Sequence, residues 1–302
     1  MIQMAYEYTN VRALISIICI IRVIGTDSYI SIPYLWLMEE IIVSPSNPRI
    51  KNVLKLKEKA SERKSQDLMV VEGLREIQMA RENGFEPKTL FVCEDIAGKK
   101  SKELVSSAHH LVKISREVFE KIAYRGNSDG LLALVKPRHL RLRDITLSAT
   151  PLLIILEAVE KPGNLGAILR TADACGADAV IVCDPKTDIY NPNAIRSGIG
   201  CVFSKQVVTT TSEEVIKFLK EKKIRPFSAA LTAKVKYTDA DLTQPIAIVM
   251  GTEANGLSSK WLSSSEDQII IPMLGKIDSM NVSVSCAVIL YEALRQRGAT
   301  RK

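Results

Sequence analysis

The sequence is short of the groups that would announce a familiar chemistry. It has three histidines, His109, His110 and His139, and none is spaced with cysteines or carboxylates as a catalytic triad or a metal site would require. Its six cysteines, at 19, 93, 175, 183, 201 and 286, form no C-x-x-C pair, and several sit inside apolar runs as buried thiols do. That spacing argues against structural zinc and points to a reducing cytoplasm. No apolar run reaches the roughly 20 residues of a membrane span; the run 13–21 is broken by Arg22. No secretory leader is expected, because neither a basic start nor a clear small-residue cleavage site is present. The dinucleotide fingerprint G-x-G-x-x-G is missing as well, although Gly163 and Gly166 follow an apolar run. Catalysis should therefore need no histidine and no metal.

What is present is an ordinary globular chain. Its 302 residues, 46% hydrophobic and 25% charged, allow two domains, and a formal charge of +7 favours a polyanionic partner. The charge is concentrated between 49 and 64, where seven Lys or Arg (49, 51, 55, 57, 59, 63 and 64) face only Glu58 and Glu62. Such an arm suits phosphate contacts, though a solvated helix face of mixed charge would read the same way. Residues 1–40 share none of the later pattern and are expected to be a poorly ordered or non-native extension, with Met38 a candidate start.

Residues 41–143 alternate between strands (68–71, 89–93, 130–135) and helices (74–83, 102–108, 116–124), with a linker near 138–144. Residues 144–302 carry continuous apolar runs at 152–156, 179–183, 228–231, 246–250 and 268–271, the pattern of parallel strands covered on both faces. Helices are expected at 164–175, capped by Asn164, at 212–222, capped by Ser212, and from Asn281 onward. The fold class is α/β: a parallel-sheet C-terminal domain with a smaller N-terminal α/β domain.

Three loops follow apolar strands: 157–170, 251–257 and 272–285. In an open parallel sheet ligands bind at the carboxyl ends of strands, so the three can line one crevice. Arg170 should lie on the helix side away from the apolar face, and Glu253 follows a buried strand directly. Gly275, Asp278, Ser279 and Asn281 make the third loop turn-rich before a helix start with free N–H donors. Each feature has a plainer explanation, namely a solvated arginine, an acid favoured by a helix dipole, or a capped turn.

Together the three loops resemble the SpoU/TrmH family of RNA ribose 2′-O-methyltransferases, within the knotted AdoMet-dependent class. The run Asn164-Leu165-Gly166-Ala167-Ile168-Leu169-Arg170-Thr171-Ala172-Asp173 is similar to that family's first motif. Gly251-Thr252-Glu253-Ala254-Asn255-Gly256-Leu257 is similar to its second. Ile271-Pro272-Met273 through Ser279-Met280-Asn281-Val282-Ser283 is similar to its third. The resemblance covers 151–297, and more weakly 44–136, which look like the L30e-type substrate-binding domain of the rRNA-modifying branch. It implies a deep trefoil knot, a homodimer and S-adenosyl-L-methionine as cofactor, surrounded by Leu231, Gly251, Ile271 and Met280. It implies a catalytic set of Arg170, Asn164, Glu253, Ser279 and Asn281, acting without metal or membrane on RNA, with 23S rRNA favoured by analogy. Relatives often carry serine where Gly198 stands, which puts a hydroxyl contact there in doubt. The alternatives are a non-catalytic RNA-binding or ribosome-assembly protein with a vestigial methyltransferase fold and, more distantly, a nicotinamide-dependent oxidoreductase.

Overall fold

The structure, a computed structural model, describes residues 18–22, 29–33, 41–124, 129–265 and 267–298. Within the N-terminal stretch, β1 (Ile18–Arg22) and β2 (Tyr29–Pro33) pair antiparallel. The rest of the expected extension, Met38 included, lies outside the described residues.

A five-stranded sheet follows, built from β3 (Ile41–Ile42), β4 (Met69–Glu72), β5 (Pro87–Val92), β6 (Leu111–Ile114) and β7 (Leu131–Val135) in the order β3-β6-β5-β7-β4. Helices α1 (Pro48–Glu58), α2 (Ala60–Gln66), α3 (Leu74–Glu82), α4 (Lys102–Ser106) and α5 (Arg116–Ile122) connect and cover it. The second sheet has seven strands: β8 (Leu152–Glu157), β9 (Ala179–Cys183), β10 (Gln206–Thr210), β11 (Arg225–Ala229), β12 (Val235–Lys236), β13 (Ile246–Met250) and β14 (Asp267–Ile270). They run parallel throughout, in the order β10-β9-β8-β13-β11-β14-β12. Its helices are α6 (Pro162–Ala174), α7 (Pro192–Ser197), α8 (Cys201–Ser204), α9 (Ser212–Lys222), α10 (Ser259–Ser264) and α11 (Val282–Gln296). Among the described residues no helix is long and apolar enough to cross a membrane.

The unbroken apolar runs have the expected cause. Every residue of β8, β9 and β13 is buried, because side chains alternate between two covered faces. Leu152, Ile154 and Leu156 face a core shared with Leu165 and Ile168 of α6 and Ile289 of α11. Leu153 and Ile155 face the opposite core, with Val215 and Leu219 of α9 and Trp261 of α10.

Several local expectations are corrected. The strand expected at 228–231 is β11 and starts earlier, at Arg225, which leaves Leu231 in the turn beyond it. Pro162 opens α6 two residues ahead of Asn164; the N-cap is Lys161, and Asn164 lies inside the first turn. Thr211, rather than Ser212, caps α9 by accepting from the Glu214 N–H. The Ser212 hydroxyl instead donates to Asp184 at 2.6 Å and accepts from the Trp261 indole N–H at 3.0 Å. Asn281 caps α11 as expected, accepting from the Ser283 N–H at 2.9 Å.

The basic arm is two helices, broken at the extended residue Lys59, and not all of it faces outward. Arg63 is 4% exposed and donates to Asp188 of the second sheet's β9–α7 connection at 2.6 Å and to the Leu56 carbonyl at 2.7 Å. Around that tie the two sheets share one core: Met69, Val71 and Ile77 belong to the same apolar cluster as Leu165, Ala194 and Phe203. Phe85 meets Phe203 edge-on at 5.0 Å, and the Tyr190 hydroxyl donates to the Arg138 carbonyl at 2.6 Å.

Candidate active site

The three loops meet through side-chain amides. The Asn164 Nδ2 donates to Glu253 Oε1 at 2.6 Å, and Asn164 Oδ1 accepts from Asn281 Nδ2 at 3.0 Å. Asn281 Oδ1 in turn accepts from the Ser283 hydroxyl at 2.6 Å. One chain of hydrogen bonds thus joins the start of α6, the loop after β13 and the start of α11. Asn164 can hold this central position because Pro162 and Lys161 have already begun the helix, so its side chain is not spent on a cap.

Each end of the chain is set by the backbone. The loop after β13 folds back on itself, with the Thr252 N–H donating to the Gly256 carbonyl at 2.9 Å and the Gly256 N–H to the Thr252 carbonyl at 3.1 Å. A Cβ on Gly251 would lie 2.2 Å from the Gly256 carbonyl carbon, so only glycine lets the loop close. Glu157, buried at the end of β8, accepts from the Ser258 N–H at 2.8 Å and pins the far side of that loop. The Glu253 carboxyl is pulled upward by burial, but the Asn164 amide and the nearby backbone N–H dipoles of Glu253, Glu160 and Lys161 outweigh this and hold it below its ordinary range. Its Oε2 is buried with no hydrogen-bond partner among the described residues. A buried acceptor left open costs stability, and so marks a place where a donor belongs.

The other residues named from sequence are not part of this hydrogen-bond chain. Arg170 is exposed on α6, and its side chain makes no hydrogen bond or ion pair among the described residues. Ser279 is exposed, and its hydroxyl reaches only the neighbouring Asp278 at 3.2 Å. Leu231 is 61% exposed, while Ile271 and Met280 are half-buried. Residues 272–280 make no backbone–backbone hydrogen bond among the described residues, so their N–H and C=O groups are open to a ligand.

Glu157 and Ser283 were missed from sequence. A carboxylate closing an otherwise apolar strand was the signal for the first; nothing in the pattern singles out the second. Gly198 now has a reason: it packs on α6, where a Cβ would lie 3.0 Å from the Gly166 carbonyl oxygen and 3.3 Å from its Cα. The adjacent Ser197 spends its hydroxyl on the Asn193 carbonyl at 2.7 Å. The buried thiols are unsuited to nucleophilic work, since burial pushes that of Cys183 up to about 12.

The sequence pattern of the SpoU rRNA Methylase family matches residues 151–291, and that of the MRM3-like substrate binding domain matches 47–133. A 23S rRNA (guanosine-2′-O-)-methyltransferase RlmB of Vibrio cholerae is 36% identical over 205 residues, covering 66% of this chain and 83% of that protein. The chain belongs to the SpoU rRNA methylase family. The family's α/β fold extends over both sheets: the crystal structure of an RNA 2′-O ribose methyltransferase superposes with a TM-score of 0.77 at 38% identity, over 86% of this chain and 100% of the other. The SpoU methyltransferase AviRb of Streptomyces viridochromogenes, solved in complex with AdoMet, is 28% identical with a TM-score of 0.77, over 83% of this chain and 99% of its own.

Proposed function

We propose that this protein transfers a methyl group from S-adenosylmethionine to a ribose 2′-hydroxyl of 23S rRNA in the cytoplasm. The observation that carries the site assignment is the hydrogen-bond chain Glu253–Asn164–Asn281, which ties three strand-end loops together. Residues 41–143 would hold the RNA and residues 144–302 would carry out the transfer.

The residues of these loops suit the cofactor by their chemistry. Leu231, Ile271 and Met280 offer apolar surface to an adenosyl group, and the open backbone of 272–280 offers polar partners to its heteroatoms. When bound, S-adenosylmethionine supplies an activated methyl on a sulfonium with a neutral thioether as leaving group. The chain's task is then positioning and proton removal. Asn164, Glu253 and Asn281 keep the loops in register, Gly251 lets the second loop close, and the Ser279 hydroxyl stands exposed beside them. Arg170 is free to grip the phosphate next to the reacting ribose. A guanidinium with a pKa above about 12 serves that role better than the role of base.

Replacing Asn164 by alanine removes both links at once. Asn164→Ala is expected to lower methyl transfer about 100-fold through loop misplacement and to cost about 1–3 kcal/mol of stability, because the Glu253 carboxylate loses its donor. Single-turnover transfer and urea unfolding check the two effects.

The reading includes a homodimer and the trefoil knot implied by the family resemblance. Supporting the knot, β14 lies between β11 and β12, while α11 packs back on α6. Supporting the dimer, α11 leaves Val284 48% and Tyr291 52% exposed, two turns apart on one side. Val284→Glu combined with Tyr291→Glu is expected to sediment as a monomer where the parent sediments as a dimer.

The deciding experiment is transfer of labelled methyl from S-adenosylmethionine to rRNA of the source organism, with 2′-O-methyl positions mapped with and without the gene. Cofactor binding with no transfer to any rRNA would leave a non-catalytic RNA-binding protein.

A further inference from the structure

Two cavities open beside the five-stranded sheet, and neither shares a residue with the loops described above. The larger, of about 590 Å³, has Phe85, Leu90 and Leu104 as its buried floor and Arg81, Lys88, His109 and His110 around its exposed rim. The smaller, of about 150 Å³, is lined by Arg49, Asn52, Thr89 and again His110. One histidine borders both, but their floors belong to opposite faces of the sheet: Phe85, Leu90 and Leu104 pack in one core, Phe91, Val112 and Leu134 in the other.

We propose that the larger cavity and its rim form a groove for an unpaired stretch of the substrate RNA, with a nucleobase turned into the cavity. The proposal rests on the reading of the protein as an RNA methyltransferase and adds where, and in what form, the RNA is held. The larger cavity falls within the ~300–1,000 Å³ typical of small-ligand sites. Two permanent cations, Arg81 and Lys88, stand on its rim beside one carboxylate, Glu86. Lys88 pairs with Glu86 at 3.1 Å, but both are more than half exposed, and so open a pair is readily exchanged for a phosphate. The imidazoles of His109 and His110 are flat surfaces on which a base can stack, and the apolar floor rewards a base that has left its helix. A duplex keeps its bases inside and would present only phosphates to that floor.

The test uses the full chain and a short single-stranded RNA containing 4-thiouridine, with a hairpin of the same composition as comparison. Photo-crosslinks are expected within 81–110, with the single strand preferred over the hairpin. Arg81→Glu with Lys88→Glu should weaken binding about tenfold and make the log–log salt dependence shallower by about 1.4, or 0.7 for each of two phosphates. Lys217→Glu with Lys222→Glu on α9 makes the same change in net charge away from the groove and should leave affinity within twofold of the parent. Retained binding of S-adenosylmethionine shows that each variant is folded. Crosslinks confined to other residues, or equal losses in the two double variants, overturn the groove while the methyltransferase reading stands. If the parent binds S-adenosylmethionine but no RNA, both fall.

Discussion

Arg170→Ala is expected to lower methyl transfer at least about 100-fold while S-adenosylmethionine affinity stays within a few-fold of the parent. The side chain stands on α6 above the first loop, exposed and without a hydrogen-bond or ion-pair partner among the described residues. Its removal therefore leaves no buried group orphaned and should not disturb the fold. Arg170→Lys keeps the charge but loses the planar fork that matches a phosphate, and should recover only part of the rate. Single-turnover rates at saturating cofactor, set beside equilibrium dialysis, separate chemistry from binding. If Arg170→Ala loses cofactor affinity and rate together, the residue belongs to the cofactor's environment and not to the ribose.

The largest effect on stability is expected from a residue outside these loops. Asp188→Ala strands the Arg63 guanidinium, 4% exposed, with only backbone carbonyls for partners. Breaking one side of a fully buried pair typically costs about 3–5 kcal/mol; with Asp188 24% exposed, a loss of about 3 kcal/mol is expected, because the Arg63 charge stays buried. The variant also loses the 2.9 Å bond from the Tyr190 N–H to the Asp188 carboxylate, which shapes the turn into α7. Urea unfolding should show the midpoint falling, and Asp188→Asn, which retains a hydrogen-bond acceptor, should fall less. A change below about 1 kcal/mol in Asp188→Ala would mean that Arg63 finds water when its partner is removed.

The seven-stranded sheet was legible where the physics is periodic. The runs at 152–156, 179–183 and 246–250 are apolar because both faces are covered, and their five-residue length favours strands over buried helices. The edges were not legible: β10 carries Gln206 and two threonines, and β12 is two residues long. Helices α7 and α8, at six and four residues, are too short to show a helical period. In the site, the nomination of Asn164, Glu253 and Asn281 came from motif resemblance; their hydrogen-bonded chain came only from the structure. The cap assigned to Asn164 failed because a proline two residues earlier is the stronger start signal. Arg63 could not be told from its neighbours in the basic arm, since burial of one arginine among seven cations depends on a partner more than a hundred residues away.

The core shared by the two sheets makes them poor candidates for modular exchange. Met69, Val71 and Ile77 pack in the same cluster as Leu165, Ala194 and Phe203, with Phe85 locked edge-on to Phe203. A chain cut near residue 144 would present that apolar surface to water on both fragments, and either half made alone should aggregate or need a detergent-like chaperone. Retargeting such a protein by grafting a foreign N-terminal half would require the junction to be redesigned along with it. Sequence change on one side of the seam is constrained by the other, so drift toward a new RNA should proceed through the outward-facing rim residues and leave the seam intact.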